Sequence, residues 1–266
     1  MMRLLKRAYI TLIMLFLYAP IALLIIFSFN AGRSRGLWGG FSLQWYAELL
    51  RDRQILAALR NTLVIGLSAA AISTVIGSLG AVGLFQLRRK GVRKAMLTLV
   101  NLPMLNSEIV TGVSLLMLYA AMRLELGFVT LLLSHVAFCI PYVVLSVLPK
   151  LRQLDPHLAE AAQDLGATPM QAFRRVILPD IMPGVFSGFL LALTLSIDDF
   201  VISFFTTGMG VSNLSITIYT MAKRGISPKL NALSTVIFLV VLTLLIIVNL
   251  PSFRQQSKKT RKEIPA

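Results

Sequence analysis

The sequence predicts an all-α membrane protein with six transmembrane helices. Its 266 residues are 56% hydrophobic and only 14% charged, against about 25% charged in an ordinary soluble domain. Mean hydropathy is +0.79, and the apolar residues gather in runs near the length of about twenty that a helix needs to cross a bilayer. The net charge of +15 sits at the edges of those runs. It reads as orientation in a membrane rather than as a nucleic-acid surface, and no nucleic-acid partner is expected.

Six windows qualify: roughly 9–29, 61–86, 98–122, 127–149, 184–205 and 232–250. The first follows a basic start, as a signal peptide would. Its apolar stretch runs to about twenty residues with no small-residue cleavage site after it, so a retained span is expected. The third and fifth contain acids, and Asn101, Pro103 and Asn106 favour a break before Glu108. With the N-terminus inside, the cytoplasmic segments and basic tail carry seventeen Lys and Arg, and the outer loops carry nine. The positive-inside rule therefore places both termini and the polar insert 150–183 in the cytoplasm, and loops 30–60 and 206–231 in the periplasm. A single membrane domain, 1–266, leaves no room for a soluble catalytic one. Cys139, inside an apolar run, is expected to be a small core residue.

The insert differs in kind from its flanks. Asp155-Pro156 reads as an N-cap followed by proline at the first helical position. Helix is expected through "HLAEAAQDL", ended by Gly166 in a left-handed conformation. Thr168-Pro169 repeats the start signal, and Gln171 three residues on completes a capping box. The second helix is expected to stop before Pro179, with Met170, Phe173, Ile177 and Leu178 near one face. Two short helices with a tight corner make a rigid, partly apolar knob, which suits a partner with a groove.

The run Glu160-Ala161-Ala162, then Gly166, then Ile177-Leu178-Pro179, resembles the EAA loop of permease subunits of bacterial ABC importers. The resemblance implies the type I importer permease (MetI-like) fold, alternating access, and docking of these residues, with Phe173, into a dimer of ATPase subunits. It also implies a second homologous permease, a periplasmic binding protein and the bacterial inner membrane, with its lipid, as surroundings. The chain has no G-x-x-x-x-G-K-[ST] phosphate loop. ATP and Mg are thus expected on the partner ATPase, with no cofactor and no enzyme activity in this chain. Two histidines, His135 and His157, are too isolated to mark a metal centre.

Glu108, Asp198 and Asp199 are acids inside spans, where charge costs a few kcal/mol and is usually functional. Counted from the cytoplasmic ends, Glu108 and Asp198 are roughly 15 and 21 Å deep at 1.5 Å per residue. No Lys or Arg lies inside any of the six spans. The acids either cap broken helices or meet a cation from a partner, from protons or from the substrate. Of two adjacent carboxylates, only one is expected to face the pore. An organic cation with separated charges fits carboxylates on two helices, with aromatic rings along its methylenes.

The segments "YAPIALLIIFSFN", "QWYAELL", "SHVAFCIPYVV", "EAAQDLGAT" and "LSIDDFVISFF" resemble the spermidine/putrescine branch of the permease family. That resemblance implies substrate contacts at Trp45, Ser196, Asp198 and Asp199, and at Glu108, where the branch often has aspartate. Trp45 also suits a membrane-interface belt. The competing readings are an importer of another small solute, a proton-coupled carrier, and a membrane enzyme using Asp198 and Asp199 as a relay. Acids without counter-charge argue against anionic solutes. A loop built for docking argues against a stand-alone carrier.

Overall fold

In hydrocarbon a backbone must satisfy its own hydrogen bonds, and a chain with these apolar runs does so as helix. The computed structural model describes residues 2–32, 37–87, 89–155, 157–225 and 227–243, and among them there is helix but no strand. Among the described residues, four helices are long and apolar enough to cross a membrane. A bent pair makes a fifth if it counts as one span. The expected sixth, 232–250, begins in a helix over Pro228–Thr243 and then leaves the described residues, as does the basic tail.

The chain divides into two compact units, Met1–Leu56 with Ile218–Ala266, and Ala57–Thr217. In the first unit, α1 (Met2–Ser28) is an apolar rod, and α2 (Gln44–Arg51) is short. The turn between them is organised by Asn30, whose side-chain oxygen accepts from Gly39 N (2.7 Å) and Gly32 N (3.1 Å). Asp52 then caps the start of α3 (Arg53–Gln86), accepting from Gln54 N and Ile55 N, and receives Lys229 Nζ at 2.6 Å. That lysine hydrogen bond holds the Asp52 carboxyl below its ordinary range. A lowered carboxyl pKa stabilises the fold above the ordinary range, and the contribution is lost as pH falls through the lowered value.

The second unit is built around α6 (Phe128–Gln153), with α3 and α9 (Leu178–Asp198) against it. Val143, Val144 and Val147 of α6 share one core with Ala70 and Ala81 of α3 and with Ile181 and Ala192 of α9. Glycines set the spacing. A Cβ on Gly77 would lie 2.8 Å from Val143 Cβ and 3.1 Å from Ile140 O, and one on Gly184 would lie 3.1 Å from Ser146 O. Small residues at these positions let backbones approach where lipid supplies no hydrophobic drive for helix association.

The third expected span is two helices, α4 (Lys90–Leu105) and α5 (Glu108–Ala121), bent by 106°. Pro103 removes one bond from the last turn of α4. Ser107 then restarts the helix, its Oγ accepting from Ile109 N at 3.3 Å. The insert forms α7 (Leu158–Asp164) and α8 (Pro169–Ala172). Asp155 accepts from His157 N at 2.9 Å, whereas Pro156 lies outside the described residues. Gly166 has φ +87°, with Gly166 N bonded to Gln163 O and Ala167 N to Ala162 O, the paired bonds of a Schellman end. Thr168 and Gln171 cap each other reciprocally, at 3.3 and 3.0 Å.

The second helix of the insert does not stop before Pro179. It runs unbroken from Pro169 to Asp198, through a π-turn at Phe173–Ile177 that joins α8 to α9. A proline ring clashes with the carbonyl four residues back in a regular helix. The wider turn immediately before it loosens that packing, and Leu178 N bonds five residues back to Phe173 O. As a result Ile177 and Leu178 turn inward against the core, and the exposed large apolar side chains of the insert are Leu165, Met170 and Met182.

Substituting Gly77→Ala should force α3 off α6 and cost about 1–3 kcal/mol, the usual range for overpacking. Thermal unfolding of the detergent-solubilised protein measures it. An unchanged midpoint would contradict this close approach.

Candidate functional site

The fifth expected span also breaks. Helix α9 ends at Asp198, Asp199 adopts an extended conformation (ψ 124°), and α10 (Val201–Thr206) begins after Phe200. Two neighbouring carboxylates thereby acquire opposite surroundings: Asp198 is exposed and Asp199 is buried.

Asp199 caps α10. Its Oδ1 accepts from Ile202 N (3.2 Å) and its Oδ2 from Ser203 N (2.8 Å) and Ser203 Oγ (2.9 Å). These are first-turn amides that a break would otherwise leave without partners. His135, buried on α6, completes the arrangement. Its Nδ1 lies 2.6 Å from Ser196 Oγ, before the break, and its Nε2 lies 2.9 Å from Ser203 Oγ, after it. Asn213 Nδ2 donates to Ser203 Oγ at 2.7 Å. Proton counting assigns the ring. Ser203 gives its one proton to Asp199 and accepts from Asn213, so His135 Nε2 must donate to it. With the ring neutral, Nδ1 accepts from Ser196. Every polar atom in the group finds a partner with a neutral imidazole.

Asp198 instead lines a cavity of about 220 Å³ with Glu108, Phe138, Thr194, Leu195, Asp199, Phe200 and Val201. Glu108 occupies the first turn of α5, where the positive end of the helix favours a carboxylate. Asp198 is the last residue of α9, the end at which the helix dipole opposes negative charge. No Lys or Arg is among the lining residues. The cavity therefore joins two exposed carboxylates and a helix C-terminus, with aromatic walls from Phe138 and Phe200. It is suited to a cation, for which carboxylates and carbonyl ends of broken helices are the usual membrane ligands.

The structure thus brings Glu108, Asp198 and Asp199 to one cavity and gives the remaining expected contacts other tasks. Ser196 is buried and holds His135, so it is not a free ligand. Asp199 borders the cavity, but both its oxygens are taken by α10. Trp45 belongs to the other unit, buried, with its indole N–H donated to Asn30 O at 2.7 Å. His135, Ser203 and Asn213 were not anticipated. The i, i+4 spacing of Asp199 and Ser203, and a histidine alone in an apolar run, were the signals that carried them. In the insert, Glu160 is exposed and lies 3.1 Å from His157 Nδ1, which raises the His157 pKa. Ala161, Ala162 and Gly166 lie on α7 and at its end, and Phe173, Ile177, Leu178 and Pro179 continue into the rod.

A polytopic helical chain with a capped helix pair between spans and a cation-suited cavity at two helix breaks is a membrane transport subunit. The family model for binding-protein-dependent transport system inner membrane components matches residues 73–257, and the chain belongs to that family. It is 40% identical over 244 residues, covering 92% of both chains, to the spermidine/putrescine transport system permease protein PotC of Escherichia coli (strain K12). It is 39% identical to the putrescine transport system permease protein PotI of the same strain, over 84% of this chain and 81% of that one. The PotC of Haemophilus influenzae is 37% identical over 91% of this chain and 94% of its own. The fold matches a chain of a bacterial ABC transporter involved in import of the acidic polysaccharide alginate, with TM-score 0.70, 20% identity and 95% of each chain covered. It also matches the MetNI methionine ABC transporter, with TM-score 0.61, 20% identity, and 78% of this chain and 95% of that one covered. The fold is that of the type I ABC importer permeases, and the protein is an inner-membrane permease.

The split between the two aspartates is measurable as stability. Asp199→Ala should cost about 1–2 kcal/mol, as loss of a helix cap does, and lower the thermal midpoint. Asp198→Asn relieves an unfavourable dipole contact and should leave the midpoint unchanged or raise it by a few tenths of a kcal/mol. The reverse ordering would overturn the assignment of cap and cavity residue.

Proposed function

We propose that this permease carries polyamines, of the spermidine and putrescine class, through the cavity lined by Glu108 and Asp198. The observation that carries the proposal is a pair of exposed carboxylates on two helices facing one cavity that no Lys or Arg lines. A diamine or triamine supplies two separated positive charges for the two carboxylates, and its methylenes lie against Phe138 and Phe200. Ammonium groups gain further from the aromatic faces. The names of the PotC and PotI relatives support the same substrate class. An anionic solute would face uncompensated acids. A proton relay through Asp198 and Asp199 loses its second member, because Asp199 is committed to α10.

The energy source in this proposal is an ATPase dimer that binds ATP and Mg and receives the insert, with α7, Leu165 and Met170 as the exposed contact. A second homologous permease completes the pathway, and a periplasmic binding protein delivers the amine to loops 30–60 and 206–231. Both termini are cytoplasmic.

Glu108→Gln and Asp198→Asn should each weaken spermidine binding by roughly ten- to a hundredfold, the worth of one charge-assisted hydrogen bond of about 1.5–3 kcal/mol. Uptake into proteoliposomes holding the full importer should fall with them. Full uptake by both variants would sink the cation-cavity reading.

Docking of the insert is tested at Gly166. A Cβ there meets nothing within 4 Å, so Gly166→Val strains only the left-handed backbone, by about 1–2 kcal/mol. The variant should lose co-purification with the ATPase, and Gly166→Asn should retain it. Equal co-purification by Gly166→Val and the parent would place the docking surface elsewhere.

A further inference from the structure

We propose that His135 is a positioning residue for the cation cavity. Its imidazole struts the break between α9 and α10 and so determines where Asp198 stands. The inference rests on the proposed polyamine function and deepens it.

Asp198 is the last residue before the break, so any change in the angle between α9 and α10 moves its carboxylate relative to Glu108. Among the described residues of the second unit, one side chain from another helix bonds both sides of that break: His135, to Ser196 two residues before Asp198 and to Ser203 five residues after it, at 2.6 and 2.9 Å. The ring is anchored in turn. It is 1% exposed, and it projects from α6, the helix that core contacts fix to both α3 and α9. Its second nitrogen lies 3.6 Å from Asp199 Oδ2, so the ring also stands beside the carboxylate that caps α10.

Positions 135 and 138, three apart, are neighbours on a helix surface. Phe138 is itself a wall of the cavity. One turn of α6 thus supplies a wall directly and fixes the opposite, acidic wall through the imidazole. A purely packing role would require bulk alone. The group instead uses both ring nitrogens, in one tautomer, on hydroxyls from the two sides of a helix break. Two carboxylates must match the spacing of two ammonium groups, and a strut that holds one of them affects affinity without touching the amine.

The test is equilibrium binding of radiolabelled spermidine to the detergent-purified, fully assembled importer, reading dissociation constant and number of sites separately. His135→Phe keeps the ring and removes both hydrogen bonds. It should raise the dissociation constant about tenfold, in the range for one lost hydrogen bond to a charged group, in the sites that remain. On an Asp198→Asn background the same substitution should add little, because two residues that act through one contact are non-additive. His135→Gln restores a donor and an acceptor and should recover most of the affinity. Fewer sites with an unchanged dissociation constant, or full additivity with Asp198→Asn, would overturn the positioning role. If His135→Phe does not assemble, Ser196→Ala removes one end of the strut and should weaken binding severalfold; an unchanged constant there would also overturn it. Absence of spermidine binding by the parent importer would overturn the polyamine proposal and this inference together. Normal parent binding with unaffected variants overturns this inference alone.

Discussion

A helix can break inside hydrocarbon only where the freed amides and carbonyls find partners within the protein. In this chain a single buried carboxylate, that of Asp199, meets the demand at the break in the fifth span. It gives α10 its start by accepting from Ile202 N, Ser203 N and Ser203 Oγ, and the other end of that short helix is held by Thr130 Oγ1, donating to Thr206 O at 3.0 Å. Gly112 and Phe205 then meet closely enough that a Cβ on the glycine would lie 2.8 Å from the ring, which draws α5 against α10. The cavity exists because these two breaks, before Glu108 and after Asp198, are brought to the same place by that packing.

The division of labour between adjacent aspartates follows from the same break. On a continuous helix, residues 198 and 199 would point about 100° apart and neither would be specially placed. An extended residue at 199 turns its own side chain back onto the next helix and leaves Asp198 stranded at a helix end of the wrong polarity. One carboxylate is satisfied by backbone amides. The other is left in want of a cation. Two identical residues thus acquire opposite roles through one pair of dihedral angles.

Much of this architecture was legible in the sequence wherever its signals are local. Gly166, the Thr168–Gln171 capping box and the restart before Glu108 each depend on a few neighbouring residues, and each stands where those residues put it. Pro179 misled because its usual meaning, the end of a helix, was cancelled by a π-turn that depends on register rather than on residue type. Ile177 and Leu178, expected on the apolar face of a short helix, lie toward the core for the same reason: continuation of the rod turns them inward. In the sequence His135 is an isolated histidine, beside Ser134 in an apolar run. Its partners Ser196 and Ser203 are 61 and 68 residues away in the chain, and the packing of α6 on α9 and α10 brings them to it. Ser196, expected as a substrate contact, has its hydroxyl engaged by the ring of His135.

Under the proposed function, the two carboxylates of the cavity do not stand equally in need of a cation. A carboxylate at the N-terminal end of a helix is stabilised by the dipole and has little need of a partner, whereas one at the C-terminal end adds its charge to the partial charge of the carbonyls. Under the proposed function, an arriving cation would offset that unfavourable contact as it binds. Glu108, on the favourable end of α5, contributes attraction without comparable strain. A cation bound between the two is held on one side by a settled carboxylate and on the other by an unsettled one. Because α10 is packed on α5 through Gly112 and Phe205, a shift of α9 at the break is what would change the separation of Asp198 from Glu108. A translocating subunit must both attract its solute and let it go. In the proposed site the break lies one residue from Asp198, so the carboxylate that would meet the cation stands where the helix direction changes.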